Sequence, residues 1–156
     1  MNDVRKQRQF FTQFGSKVGD TVDSVELVCM SADKITYDAL NLRVQGGRTD
    51  IWGLLVFCKN STYFYVMPYE NYMTTLIRQM THDDMPQEQL VDLRAVENFC
   101  VALPQKKWYS FLFFDAKHTL DASFTCNGTV HHLRMATKNS AGYIYKKWPP
   151  VMQAAI

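Results

Sequence analysis

The sequence predicts an α+β protein, mainly antiparallel β, in which about seven strands form a small barrel or sandwich. Aromatic residues make up 13% of the 156 residues, and aromatic side chains suit half-buried strands. Strand-like alternation recurs between turn signals, whereas helical periodicity is confined to the N-terminal segment and to residues 69–98. A chain of this length is the size of one domain and buries enough surface to fold without disulfides or metal. We therefore expect a single domain over residues 1–156.

Residues 1–19 are predicted to form an N-terminal amphipathic helix. Val4, Phe11, Phe14 and Val18 recur on one helical stripe. The same segment carries four basic residues and one acidic residue. Such a helix packs on its own domain, on a partner or on a membrane surface, and the sequence leaves these three alternatives open.

Residues 24–137 are predicted to form a β-rich core, which begins with strands at residues 25–30, 35–44 and 51–58. In the second of these, apolar residues alternate with polar ones, as in a half-solvated strand, and residues 45–48 form the turn that follows. The third is apolar on both faces, so we expect it in the interior of the sheet.

A hairpin and a helical insert come next. Residues 59–61 are a polar turn that leads into a strand over residues 62–67, and Pro68 ends it. The insert, residues 69–98, starts with an amphipathic helix whose apolar positions are Tyr69, Met73, Leu76, Ile77 and Met80. A second helical piece begins at an Asp84 N-cap with Pro86 in its first turn, and it directs Leu90 and Leu93 inward.

Three further strands are predicted at residues 108–114, 118–126 and 129–136. Asn127 and Gly128 join the last two, and this dipeptide favours the type I′ turn of a two-residue hairpin. That turn also predicts the register, with Cys126 opposite Thr129, Phe124 opposite His131, Ala122 opposite Leu133, and Asp121 opposite Arg134. In the C-terminal segment, residues 138–156, the stretch 142–148 is compatible with a strand or a short helix.

The predicted register divides this hairpin into an apolar and a polar face. The apolar face, expected to be core, holds Leu120, Ala122, Phe124, Leu133 and Met135. The polar face, expected to be solvated or to form a site, holds Asp121, Ser123, Thr125, His132 and Arg134.

The polar face brings together the residue types of nucleophilic catalysis. Ser123 lies opposite His132, and Asp121 is nearby, but Arg134 competes for the carboxylate as a cross-strand ion pair. No nucleophile elbow or Gly-rich oxyanion loop accompanies these residues. A solvated face is the favoured interpretation, and a nucleotide-sensing or hydrolytic site is the alternative.

Metal and nucleotide motifs are absent from the sequence. His118, Cys126, His131 and His132 lie in one hairpin without the paired short spacings of a zinc site. Residues 121–126 resemble half of the PilZ cyclic-dinucleotide motif, but the final glycine and the arginine half are missing. We therefore predict no cofactor and no metal, and we expect the four dispersed cysteines to be reduced.

Two basic–aromatic edges are the candidate binding surface. In each, a pair of lysines precedes a tryptophan, so that charge adjoins a large contact area. The residues are Lys106, Lys107, Trp108, Lys146, Lys147 and Trp148. They are expected to contact a protein partner or, weakly, an anionic lipid or phosphate.

Charge and targeting signals suggest a cytoplasmic protein. The N-terminal residues lack the apolar region of a secretory signal, and no stretch approaches the ~20 apolar residues of a membrane span. Basic ends flank an acidic middle, since residues 81–97 carry five acidic residues and one basic residue. This balance is too weak to indicate nucleic acid.

The order of elements resembles a bacterial pleckstrin-homology-like domain of the PH/GRAM type. Residues 50–57 and 59–65 are similar to the family's hairpin of a strand, a polar turn and an aromatic return strand. Residues 108–114 and the hairpin after them resemble its second sheet. The resemblance spans residues 24–137. Domains of this family share a fold while binding phosphoinositides, peptides or no known ligand, so the resemblance leaves the function open. The predicted function is a non-catalytic cytoplasmic binding or scaffolding module.

Overall fold

The computed structural model describes residues 2–44, 49–66, 88–104 and 116–153. Helix α1 is Asn2–Val18, α2 is Lys34–Ala39 and α3 is Ala141–Tyr145. The strands are β1 (Val22–Ser31), β2 (Asp50–Cys58), β3 (Thr62–Val66), β4 (Gln89–Asp92), β5 (Cys100–Ala102), β6 (Thr119–Cys126) and β7 (Thr129–Thr137). Short 3-10 helices occupy Ala116–His118 and Pro150–Met152.

The seven strands form one antiparallel sheet in the order β4-β3-β2-β1-β7-β6-β5. The predicted α+β class is confirmed. The described residues contain seven strands, of which β1, β2, β3, β6 and β7 correspond to predicted ones. The predicted barrel or sandwich is not what the described residues form: their strands belong to one sheet, with β4 and β5 at its opposite ends and no described strand joining them. Strand β2 lies between β1 and β3, so its predicted interior position is confirmed.

The strand predicted at residues 35–44 is wrong, because this region contains helix α2. The Asp33 carboxylate accepts a hydrogen bond of 2.8 Å from the Thr36 amide, which is the N-cap interaction that starts a helix. The Tyr37 hydroxyl lies 2.9 Å from the Met30 carbonyl and 2.7 Å from the Thr49 carbonyl. Burial raises the pKa of Tyr37 to about 12. A short helix capped and packed in this way overrides the alternating pattern.

The helical insert predicted over residues 69–98 is wrong in its last part. Residues 67–87 lie outside the described chain, but Gln89–Asp92 is strand β4 and pairs with β3. The Gln89 side chain accepts from the Arg43 amide at 2.6 Å and donates to the Arg43 carbonyl at 3.0 Å. These residues form a strand because they pair with the otherwise free edge of β3. Sequence periodicity contains no information about that pairing. Leu90 is consequently exposed and Leu93 is buried.

The β6–β7 hairpin confirms its predicted register in full. Asp121 lies opposite Arg134, Ser123 opposite His132 and Phe124 opposite His131. Asn127 and Gly128 have φ values of 51° and 79°, as the type I′ turn requires.

For residues 142–148 the sequence left a strand and a short helix open, and the structure has a helix there, α3. The predicted strand at residues 108–114 and the predicted turn at residues 45–48 lie outside the described chain.

The two faces of the sheet are covered differently. The inner face carries the main core, over which α2, α3 and the segment after α3 pack, with Leu55, Phe64, Phe124 and Met135 almost fully buried. On the outer face, α1 covers β2 and β3, where the Phe14 ring lies 5.4 Å from the Tyr65 ring and 5.7 Å from the Tyr63 ring. The first part of β1, at Val22 and Val25, also packs against this cluster, whereas Leu27 in the second part of β1 and Ala136 on β7 are exposed on the same face.

Candidate binding surfaces

The polar face of the β6–β7 hairpin lies on the outer face of the sheet. Arg134 Nε donates to Asp121 Oδ1 at 2.9 Å, and both side chains are at least one-third exposed. The Asp121 carboxylate therefore accepts its hydrogen bond from the guanidinium of Arg134 and not from the imidazole of His132, as the cross-strand register predicts. Exposed ion pairs of this kind contribute about 1 kcal/mol or less to stability.

Strand β5 adds a cysteine to this face that the sequence analysis missed. Cys100 pairs with Ser123, and its Sγ lies 3.4 Å from Ser123 Oγ. Cys100, Ser123 and His132 thus form one row across three strands. The β5–β6 pairing joins segments more than twenty residues apart, so the sequence near Cys100 does not predict it. The only local sign of a strand there is a short alternation of side chains around Val101.

The histidine that the sequence placed on the apolar face packs against aromatic rings. His131 stacks on Phe124 at 5.2 Å, Phe124 on Phe99 at 6.4 Å, and Phe99 on Trp148 at 5.7 Å, with interplanar angles below 30°. Among the residues that the structure describes, no group of three or more His, Cys, Asp or Glu side chains is arranged to hold a metal ion. The stack places His131 at the end of a column of rings that runs through the core.

The predicted basic–aromatic surface is not assembled at its C-terminal edge. Trp148 is only 1% exposed and lies between Phe57 and Phe99, so its placement on a binding surface is wrong. Lys147 is half-buried and its Nζ lies 2.6 Å from Glu26 Oε1, whereas Lys146 is exposed. Successive residues of a helical turn point about 100° apart, so three adjacent residues do not share one surface. Lys106, Lys107 and Trp108 lie outside the described chain.

An apolar patch on the outer face was not predicted. We define the outer patch as Leu27, Trp52 and Ala136; Trp52 is 60% and Leu27 40% exposed. Trp52 and Ala136 flank Cys29 on the two neighbouring strands, and Leu27 follows on the same face of β1. The sequence analysis treated both faces of β2 as buried, although a tryptophan beside a charged residue at the start of that strand is a signal for a partly open position.

The next cross-strand row gives the outer patch a charged border. Ser31 pairs with Asp50 on one side and with Arg134 on the other, and Arg134 continues to Asp121. Asp50 and Arg134 are both exposed. An exposed tryptophan bordered by paired charges has the composition of the centre and rim of a protein interface.

The four cysteines are free thiols, of which Cys29 is buried and the others are half-buried. Burial raises the pKa of Cys29, and the charge of Asp50 raises it further. Burial likewise raises the pKa of Cys58 to about 11, with a smaller contribution from Asp20. Both thiols are therefore protonated near neutral pH, and protonated thiols are poor nucleophiles.

We expect native-state alkylation of Cys58 to accelerate about tenfold per pH unit between about pH 8 and pH 10, because its thiolate fraction rises by that factor below the pKa. Peptide mapping after timed iodoacetamide exposure measures the rate, and glutathione is the control for the reagent. Unfolding without reductant should then allow four thiols to react. A pH-independent rate at Cys58, or fewer than four modified thiols, would contradict the assignment.

Comparison with protein-family models, with curated proteins and with solved structures finds no match to this chain. The resemblance to pleckstrin-homology-like domains therefore stays a prediction. No helix in the described chain is long and apolar enough to cross a membrane. Within the described residues, fold and surfaces together define an α+β protein with an open sheet of seven strands and exposed apolar side chains on its outer face.

Proposed function

We propose that the protein is a non-catalytic binding or scaffolding module of the cytoplasm that recognises a protein partner through the outer patch. The observation that carries this proposal is the 60% exposure of Trp52 on a strand in the interior of the sheet. Burying a tryptophan side chain in an interface removes a large apolar area from contact with water, and tryptophan is among the residues enriched in binding hot spots.

The border of the outer patch supports a protein partner more than a lipid headgroup. Asp50, Arg134 and Asp121 follow one another in a single row, and the row contains more negative than positive charge. A membrane-binding surface needs an excess of basic residues next to exposed apolar groups. A protein interface, in contrast, uses charges of both signs at its rim to set orientation.

Replacing Trp52 by alanine is expected to weaken binding of the partner about 30-fold, the effect of losing one hot spot of about 2 kcal/mol. The partner is first captured from a lysate with the wild-type chain and identified, and its dissociation constant is then measured with both purified chains. Val151→Ala is the matched control, because Val151 is also a large exposed hydrophobic residue, 79% exposed, and lies outside the patch.

Equal affinity for Trp52→Ala and wild type would contradict the assignment of the outer patch. Binding of the wild-type chain to vesicles that contain anionic lipid, with loss in Trp52→Ala, would instead favour recognition of a headgroup. A thermal melt of each variant checks that folding is retained, since replacing an exposed side chain leaves the midpoint nearly unchanged.

The second candidate function is a nucleotide-sensing or hydrolytic activity of the hairpin face. Its specific support is the row of Cys100, Ser123 and His132, in which the thiol and hydroxyl are 3.4 Å apart. Nucleophilic catalysis also needs a base that is oriented by a third group. Asp121 would be that group for His132, but its carboxylate accepts a hydrogen bond from Arg134 instead. A thermal shift with a nucleotide panel that is lost in His132→Ala and kept in Trp52→Ala would favour this activity.

A further inference from the structure

A shallow groove lies between the second half of α1, the segment that leads from it into β1, and the β2–β3 turn. On one side it is lined by Phe11, Thr12, Gly15 and Ser16, and on the other by residues 19–22 together with the β2–β3 turn. It is shallow and wide open to solvent, with a volume of about 600 Å³, so it suits a chain lying along the surface more than an enclosed small molecule. The groove is separate from the outer patch, whose residues do not line it.

Close backbone contact forms the floor of the groove. The Asp20 amide donates to the Gly15 carbonyl at 3.0 Å, and a Cβ atom on Gly15 would lie 2.7 Å from the Asp20 carbonyl oxygen. The Asp20 carboxylate accepts from the Thr21 amide and from the amide and side chain of Asn60, at 2.7 to 3.3 Å. These bonds tie the end of α1 to the β2–β3 turn, so the groove has fixed walls.

Two arginines extend the same helical stripe beyond the groove. Arg5, Arg8, Thr12 and Ser16 are separated by three or four residues and therefore lie on one side of α1. Residues 4–9 are all exposed, so the first turns of the helix project from the sheet. No described residue forms a salt bridge with either arginine. The positive end of the helix dipole adds to their charge.

The opposite end of the groove is not positive. Lys59 and Asp20 both line that end, so one positive and one negative side chain are present there. The carboxyl end of α1 carries a partial negative charge. An anion is therefore favoured at the arginine end only, and a ligand that fills the whole groove is acidic at one end and neutral at the other.

The arginine end of α1 and the groove together have the length of a short extended peptide. From Arg8 to Val18, α1 rises by about 15 Å at 1.5 Å per residue, and an extended chain of about five residues covers that distance. We propose that this groove binds an extended peptide segment of a protein partner, with its acidic residues against Arg5 and Arg8 and its uncharged residues between Ser16 and the β2–β3 turn.

The test uses a fluorescein-labelled peptide of about six residues, three glutamates followed by three uncharged residues, and measures its dissociation constant by anisotropy with the full chain. Arg5→Ala/Arg8→Ala is expected to weaken binding about fivefold or more. Lys6→Ala is the charge-matched control, because Lys6 is exposed on another stripe of the same helix, and it should change binding less than about twofold. Salt at about 0.5 M should weaken binding to the wild-type chain.

Two further variants separate the groove from the charge. Ser16→Trp fills the groove without changing charge and is expected to weaken binding about tenfold or more, whereas Gln13→Trp, exposed on the stripe of Lys6, should have little effect. Trp52→Ala should leave peptide binding unchanged, so this test does not depend on the outer patch. The proposal is overturned if the peptide does not bind, if Ser16→Trp binds as well as wild type, or if anionic vesicles but not the peptide depend on Arg5 and Arg8.

Discussion

Replacing Leu55 by alanine is expected to lower the free energy of unfolding by about 2–5 kcal/mol. Leu55 is fully buried in β2, where it pairs with Glu26 on one side and Phe64 on the other. Truncation removes apolar contacts and leaves a cavity that the paired backbones on both sides keep from collapsing. Urea denaturation followed by circular dichroism measures the change.

Ile35→Ala is the matched control for Leu55→Ala, because Ile35 is 69% exposed and its truncation should cost less than about 0.5 kcal/mol. Both chains should unfold in one transition if residues 1–156 form a single domain. Two separate transitions in the wild-type chain would contradict the single domain, and a loss below about 1 kcal/mol in Leu55→Ala would contradict the tight packing of this position.

Replacing Lys147 by alanine is expected to cost about 3 kcal/mol of stability. Glu26 is 6% exposed, and its two carboxylate oxygens accept from Lys147 Nζ at 2.6 Å and from Asn139 Nδ2 at 2.7 Å. Without the ammonium group, a buried carboxylate loses its counter-charge, and desolvation is then uncompensated. The Lys147 ammonium also lies 4.5 Å from the centre of the Tyr143 ring, so a cation–π contact is lost as well.

Lys146→Ala provides the control, since Lys146 is exposed on the neighbouring position and its loss should cost less than about 0.5 kcal/mol. The double variant Glu26→Leu/Lys147→Met removes both charges and is expected to recover most of the stability lost in Lys147→Ala. Urea denaturation of the three variants measures the differences. Equal stability of Lys147→Ala and wild type would show that the pair does not hold the segment after α3 to β1.

Local signals account for the parts of the fold that were predicted correctly. Asn127 and Gly128 have the positive φ angles that a type I′ turn needs, and this turn determines the register of the whole β6–β7 hairpin. The same register separates the buried Phe124 from the exposed ion pair of Asp121 and Arg134. Turn chemistry and a period of two are properties of neighbouring residues, so they can be read without knowledge of the rest of the chain.

The incorrect predictions share a different origin. The α2 segment alternates like a strand, yet the Asp33 cap and the burial of Tyr37 make it helical. Residues 89–92 follow a helical start signal, yet the free edge of β3 makes them a strand. In α2 a local cap and the burial of Tyr37 outweigh the strand-like alternation, and in β4 the pairing with a distant strand outweighs the helical signal. Both local preferences are worth only a few tenths of a kcal/mol per residue.

By itself, the sequence determined the antiparallel α+β class, most of the strands and the division of the β6–β7 hairpin into a buried and a polar face. Only the tertiary structure decided that the described sheet is open, that Trp148 is buried and Trp52 exposed, and that Cys100 lies beside Ser123. The physical reason is that the pattern of one strand specifies which side chains share a face, whereas the neighbouring strands and covering helices decide which face is removed from water.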